Sequence, residues 1–87
     1  FWDEQAALID WHRPFDRTLD YSRPPFARWF SGGQTNLCHN AVDRHLATRG
    51  DKTALLFEGD DPGTSAHISY RELHARVCRF ANALRNL

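Results

Sequence analysis

Ser65-Ala-His-Ile-Ser-Tyr-Arg-Glu-Leu-His-Ala-Arg-Val-Cys-Arg-Phe-Ala-Asn-Ala-Leu-Arg-Asn-Leu87 contains a change of period, and that change decides the fold class. Up to Ser69 the stretch suits a short strand. From there on, apolar residues recur at Tyr70, Leu73, Val77, Phe80, Ala81, Leu84 and Leu87. At roughly 100° per residue they fill about one third of a helical wheel, so residues 70–87 are predicted as an amphipathic helix. Ser69 and Glu72 sit at the switch with capping-box spacing, a hydroxyl that can accept from the first turn and a Glu three residues on. Moving upstream, Thr53-Ala-Leu-Leu-Phe57 is a continuous apolar run too short for an ordinary helix, which predicts a buried strand. Glu58-Gly-Asp-Asp-Pro-Gly63 is loop chemistry, so 53–57 and 65–69 are expected to pair as a β-hairpin. A hairpin followed by a long helix makes the chain an α+β fragment.

Further upstream, a helix is predicted over about 36–48. Thr35 or Asn36 can cap it, Leu37, Cys38, Ala41, Val42 and Leu46 form its apolar stripe, and Gly50 stops it. Gly32-Gly33 reads as a turn and residues 27–31 as a short strand. Residues 2–11 suit a short helix, with acids near its start and Leu8 and Ile9 on one face. Pro14 closes off its propagation. Residues 12–27 carry Pro14, Pro24 and Pro25 without a sustained period. They also carry Phe15, Leu19, Tyr21 and Phe26, too apolar for a free linker, so an extended arm lying over a surface is expected. This gives residues 1–34 as helix and arm, and 35–87 as the start of a larger body.

The balance of residues narrows the function classes. Six Phe, three Trp and two Tyr favour a packed body over disorder. Eleven Lys+Arg against eleven Asp+Glu leave no strong field for nucleic acid or an anionic membrane. No apolar run approaches a membrane span of about 18 residues. No secretory leader pattern opens the chain, and Cys38 and Cys78 do not form a disulfide framework, so a cytoplasmic setting is the expectation. The final helical pattern reaches Leu87 without a stop signal, and the sequence holds no Met. One incomplete domain is therefore expected, with some of its aromatic residues covered by the remainder of the same polypeptide.

Several constellations have residue types suited to a site. Ser31-Gly32-Gly33-Gln34 lacks the spacing and the Lys of a phosphate-binding loop, and reads as a tight turn. Cys38, His39, Asp43 and His45 have the residue types of a metal cluster. On a helix, however, His39 and His45 point about 120° apart, unlike zinc ligands at i, i+4. Cys78 has His74 one turn before it, a possible nucleophile and base, but no orienting third group is evident. Both cysteines border the apolar stripes and read as core packing. Arg71, Arg76, Arg79 and Arg85 give the last helix a basic face opposed by Glu72, read mainly as a solvated face and secondarily as a docking surface. No residue is assigned a catalytic, cofactor-binding or metal-binding role.

Three stretches taken together resemble the N-terminal region of the short-chain acyl-CoA synthetases of the AMP-forming type. The first is Phe1-Trp2 through Ile9-Asp10-Trp11, with Pro14-Phe15. The second runs from Arg28-Trp29-Phe30 through Asn36-Leu-Cys-His-Asn40 to Asp43-Arg44-His45. The third comprises Arg49-Gly50-Asp51-Lys-Thr-Ala54, Glu58-Gly-Asp-Asp61, His67-Ile-Ser-Tyr-Arg-Glu-Leu-His74 and Cys78-Arg-Phe-Ala-Asn82. Within the family, Leu19 to Phe30 and Thr35 to Arg44 look closest to propionyl-CoA synthetases, while His67 to His74 looks equally like acetyl-CoA synthetases.

The resemblance implies the edge of a larger α/β adenylate-forming domain. It also implies a two-step ligase: a carboxylate attacks ATP to give an acyl-adenylate and pyrophosphate, then CoA displaces AMP. ATP, Mg²⁺ and CoA would belong to the whole enzyme. Its phosphate loop, acyl pocket and catalytic lysine have no counterpart here, since the sole lysine, Lys52, matches none of those motifs. This segment alone is expected to be architectural and inactive. The competing expectation is a stand-alone binding or regulatory module that uses the basic helix face.

Overall fold

The computed structural model describes residues 1–87. The chain forms two compact units, Phe1–Asn40 and Ala41–Leu87. It contains three separate two-stranded antiparallel ladders and four α-helices, a mixed α+β architecture. No helix is long and apolar enough to cross a membrane.

The first unit is built around aromatic rings. Helix α1 (Trp2–Ala6) is followed by β1 (Trp11–Arg13), β2 (Arg17–Arg23), β3 (Phe26–Ser31), β4 (Gln34–Thr35) and α2 (Leu37–Ala41). Strand β1 pairs with β4, and β2 pairs with β3. Trp11, Phe15 and Phe30 pack with ring centroids 5.1–5.6 Å apart, two of the three pairs edge-on. Trp29 extends this cluster to Trp2, 6.0 Å away, which seats α1 on β3.

Phe30 sits at φ +50°, a conformation unfavourable for a bulky residue. Such strain costs on the order of 1–3 kcal/mol. Ring pairs contribute about 0.5–1.5 kcal/mol each beyond area burial. Phe30 meets Trp11, Phe15 and Trp29, so the contacts offset the strain.

Two expectations for this unit are corrected. The first helix ends at Ala6 rather than near residue 11, and Trp11 lies in a strand. The indole Nε1 of Trp11 donates to Ala6 O at 2.8 Å, and its backbone pairs with Thr35. Ring packing and ladder pairing thus outweigh a helix propensity worth only tenths of a kcal/mol per residue. The expected extended arm also contains two strands. Pro24 and Pro25, joined by a cis peptide, lie in the turn between β2 and β3, where no ladder amide is needed.

The second unit runs from a 3₁₀ turn (Asp43–His45) through α3 (Leu46–Arg49), β5 (Thr53–Glu58) and β6 (Ser65–Ser69) to α4 (Tyr70–Arg85). The hairpin is as expected, with Leu55 opposite Ile68 and Phe57 opposite Ala66. The capping of α4 is also as expected, since Ser69 Oγ accepts from the Glu72 amide at 3.2 Å. The Glu72 carboxylate turns to Arg76 instead, at 2.6 Å. Tyr70 and Arg71 donate their amides to Lys52 O and Gly50 O, at 3.0 and 2.9 Å. Helix-start donors left without intrahelical partners are therefore satisfied by the segment that links α3 to β5.

Three more expectations change here. The helix predicted over 36–48 is split into α2, the 3₁₀ turn and α3, because Val42 leaves helical geometry at φ −126°. Val42 is one of two buried core residues, with Ala6, so burial of its side chain is met at the expense of helix continuity. Gly50 does end α3, but at φ −52°, without the left-handed conformation that usually calls for glycine. Space explains it instead: a Cβ there would lie 2.6 Å from both Leu46 O and Arg71 Nη2. Finally, β5 is not buried: Leu55, Leu56 and Phe57 are 47%, 73% and 55% exposed. A two-stranded ladder with one helix against it cannot cover both of its faces.

Candidate functional site

The Gly32-Gly33 turn serves the aromatic cluster. Gly32 sits at φ +78°. A Cβ on Gly33 would meet Trp11 Cζ3 at 2.7 Å and Phe15 Cβ at 3.0 Å. Gly33 also donates to Phe30 O at 3.0 Å, which closes the turn. A left-handed backbone thus accounts for Gly32 and ring packing for Gly33.

The residues with metal-ligand chemistry each have other partners. His39 Nε2 lies 3.1 Å from Asp10 Oδ2 and belongs to a polar knot around Asn40. Asn40 Oδ1 accepts from the Asp10 amide at 2.7 Å, which fixes the orientation of its side-chain amide. Its Nδ2 then faces Asp10 O, Thr35 Oγ1 and Asn36 O at 2.9–3.1 Å. Asn36 caps α2 by accepting from the His39 amide at 2.9 Å. The knot ties β1, β4 and α2 together. In the second unit the His45 ring packs against Tyr70, with centroids 5.5 Å apart. No group of three His, Cys, Asp or Glu side chains has metal-binding geometry.

Cys78 and His74 do meet, with Sγ 3.5 Å from Nε2. Sequence reasoning lacked a third group, and the structure supplies one: Asp43 Oδ1, shielded from solvent, lies 3.8 Å from His74. Both neighbours approach the same nitrogen, Nε2. A nucleophile–base–orienter relay needs the orienting carboxylate on the opposite ring nitrogen. The arrangement therefore works as a packing contact between α4 and the 3₁₀ turn. The separation of Asp43 from His74 in sequence hid it from local reading.

On the basic face, Arg71 Nε pairs with Asp51 at 3.2 Å and Arg76 pairs with Glu72. Arg79 and Arg85 are exposed, as is Lys52. Exposed pairs of this kind contribute about 0–1 kcal/mol.

A polar cleft that sequence reasoning missed lies at the tip of the β2–β3 hairpin. It has a volume of about 410 Å³ and is lined by Asp20, Ser22, Arg23, Phe26 and Arg28. Asp20 Oδ1 accepts from the Ser22 amide at 3.0 Å. The Ser22 hydroxyl and amide, then the nearby Arg17 and Arg28, hold the Asp20 carboxyl below the usual carboxylate range. The available signal was the closeness of three arginines to one acid on either side of Pro24-Pro25, which only hairpin pairing brings together.

Comparison with known proteins gives one consistent family. The family model described as the acetyl-coenzyme A synthetase N-terminus matches residues 1–41. The chain is 60% identical over its full length to acetyl-coenzyme A synthetase of Thiobacillus denitrificans, of which it spans 13%. It is 54% identical to that of Methylobacterium radiotolerans, with 99% of this chain and 14% of the relative covered. It is 50% identical to that of Bdellovibrio bacteriovorus, with 100% and 14% covered. Its sequence matches from first residue to last lead to one assignment: the chain belongs to the AMP-forming acyl-CoA synthetase family and corresponds to that family's N-terminal segment.

Proposed function

We propose that the chain is an architectural segment of an ATP-dependent, AMP-forming ligase that converts propionate, ATP and CoA to propionyl-CoA, AMP and pyrophosphate in the cytoplasm. The observation that carries the ligase class is identity of 50–60% to acetyl-coenzyme A synthetases along the whole chain. Propionate as the acyl donor is supported by the resemblance of Leu19 to Phe30 and Thr35 to Arg44 to propionyl-CoA synthetases. Acetate is the second reading, favoured by the names of the relatives.

The residues here do not fit the catalytic work. Phosphoryl and Mg²⁺ chemistry calls for cationic and carboxylate groups converging in a water-excluding site. The Arg71–Asp51 and Arg76–Glu72 pairs lie on exposed surfaces, and Lys52 is solvated. The segment instead presents apolar side chains for the rest of the polypeptide to cover: Leu55, Leu56 and Phe57 on β5, and Phe80 and Leu84 on α4. Covering them makes this segment the edge of a larger α/β adenylate-forming domain. ATP, Mg²⁺ and CoA are held elsewhere in that polypeptide.

The test is pyrophosphate release by the full-length polypeptide with ATP, CoA and a series of acids. A kcat/KM for propionate at least about tenfold above that for acetate, or roughly 1.4 kcal/mol of discrimination, supports the proposal. The reverse order supports the acetate reading. Turnover confined to long-chain or aromatic acids overturns both, and turnover by residues 1–87 alone overturns the architectural role.

A further inference from the structure

The cleft at the β2–β3 hairpin tip combines groups that packing does not use. Arg23 and Arg28 carry two planar guanidinium forks suited to bidentate recognition of phosphate or carboxylate. Phe26, on the same cleft, is 77% exposed and presents an open aromatic face. Asp20 and Arg28 are cross-strand partners, so the acid and the base are held side by side by the ladder. Asp20 is oriented by Ser22 and keeps acceptor capacity toward the cleft.

The acid selects among anions. A bare polyanion or an acidic peptide gains from the arginines but is repelled by Asp20. A ligand carrying both a phosphate and hydroxyl groups uses both signs of charge, and an attached flat ring system uses Phe26. We propose that this hairpin tip is a binding site for a nucleoside phosphate, with the phosphate on Arg23 and Arg28, a ribose hydroxyl on Asp20 and the base against Phe26. The site does not rest on the ligase reading, because it is argued from the charges and ring at the hairpin tip and none of its residues is given a part in that reaction. Stacking is tolerant of base identity, so a guanine nucleotide should bind as well as an adenine one.

The experiment titrates GDP into the full-length polypeptide and follows heat at low ionic strength. GDP reports this site apart from any ATP-dependent reaction, so either idea can fail without the other. Saturable binding is expected. Arg23→Ala and Arg28→Ala should each weaken it at least about tenfold, as loss of a charge-assisted contact implies. Phe26→Ala should weaken it and Phe26→Tyr should retain it. Asp20→Asn should weaken GDP while tightening inorganic pyrophosphate, a probe with no hydroxyls or base. Far-UV circular dichroism and the thermal midpoint should be unchanged in all five variants, which shows that they fold. Absence of saturable GDP binding overturns the proposal. So does GDP affinity indifferent to both arginines, or tightening of GDP in Asp20→Asn alongside pyrophosphate.

Discussion

Replacing Asn40 with Leu removes the polar knot of the first unit while keeping the branched shape of the side chain. The Asn40 Oδ1 acceptor lies 2.7 Å from the Asp10 amide, and Nδ2 serves Asp10 O, Thr35 Oγ1 and Asn36 O at 2.9–3.1 Å. The two N–H groups of Nδ2 can make two full bonds at a time, so about three hydrogen bonds are lost. Each contributes on the order of 0.5–1 kcal/mol net, since water reaches this half-exposed site. The change should therefore destabilise local closure by about 1.5–3 kcal/mol, a factor of roughly 10 to 150 in the opening equilibrium. The assay is hydrogen exchange with mass spectrometry on the full-length polypeptide, comparing peptides covering residues 7–14 and 34–41 with those covering 65–85. Exchange should accelerate in the first two and stay unchanged in the third. Asn40→Asp, which keeps the acceptor for the Asp10 amide, should fall between wild type and Leu. Acceleration below about threefold in Asn40→Leu would refute the assignment of the knot as the tie between β1, β4 and α2.

Other perturbations have equally definite outcomes. Gly33→Ala places a methyl 2.7 Å from Trp11 Cζ3 and should cost about 1–3 kcal/mol, read as a lower denaturant midpoint or a shift in Trp fluorescence. Ser69→Ala removes the cap of α4 and should cost about 0.5–2 kcal/mol, with faster exchange confined to the amides of residues 70–73. Arg76→Ala should change stability by no more than about 0.5 kcal/mol, and that difference should vanish at high salt. The Asp20 carboxyl is shifted down from 3.8 in the folded chain, so its contribution is present above that value and is lost as pH falls through the lower folded-state pKa. Hairpin-tip NMR shifts should move over that acidic window in the wild type and stay flat in Asp20→Asn.

What the sequence determined by itself is local in origin. The hydroxyl at Ser69, the wheel of apolar residues after it and the loop chemistry at 58–63 act within a few residues of one another. They sufficed for the hairpin and for α4, which runs to Arg85. A cap at Thr35 or Asn36 was also legible, because such a cap reaches only three residues along the chain, and the structure selects Asn36.

What only the tertiary structure decided involves partners distant in sequence. Trp11 belongs to a strand because Thr35 pairs with its backbone and the Phe30 ring packs on its indole, and no window around residue 11 contains those two partners. Strand β2 exists because β3 folds back over Pro24-Pro25, whereas prolines read locally argue against a sheet. The break at Val42 follows from burying its side chain, and the choice of glycine at position 50 from the approach of Arg71. Helix propensities differ by tenths of a kcal/mol, while a packed ring pair or a satisfied backbone group contributes about 1 kcal/mol. Where ring contacts and ladder bonds reached across the chain, as at Trp11, they overrode the local pattern.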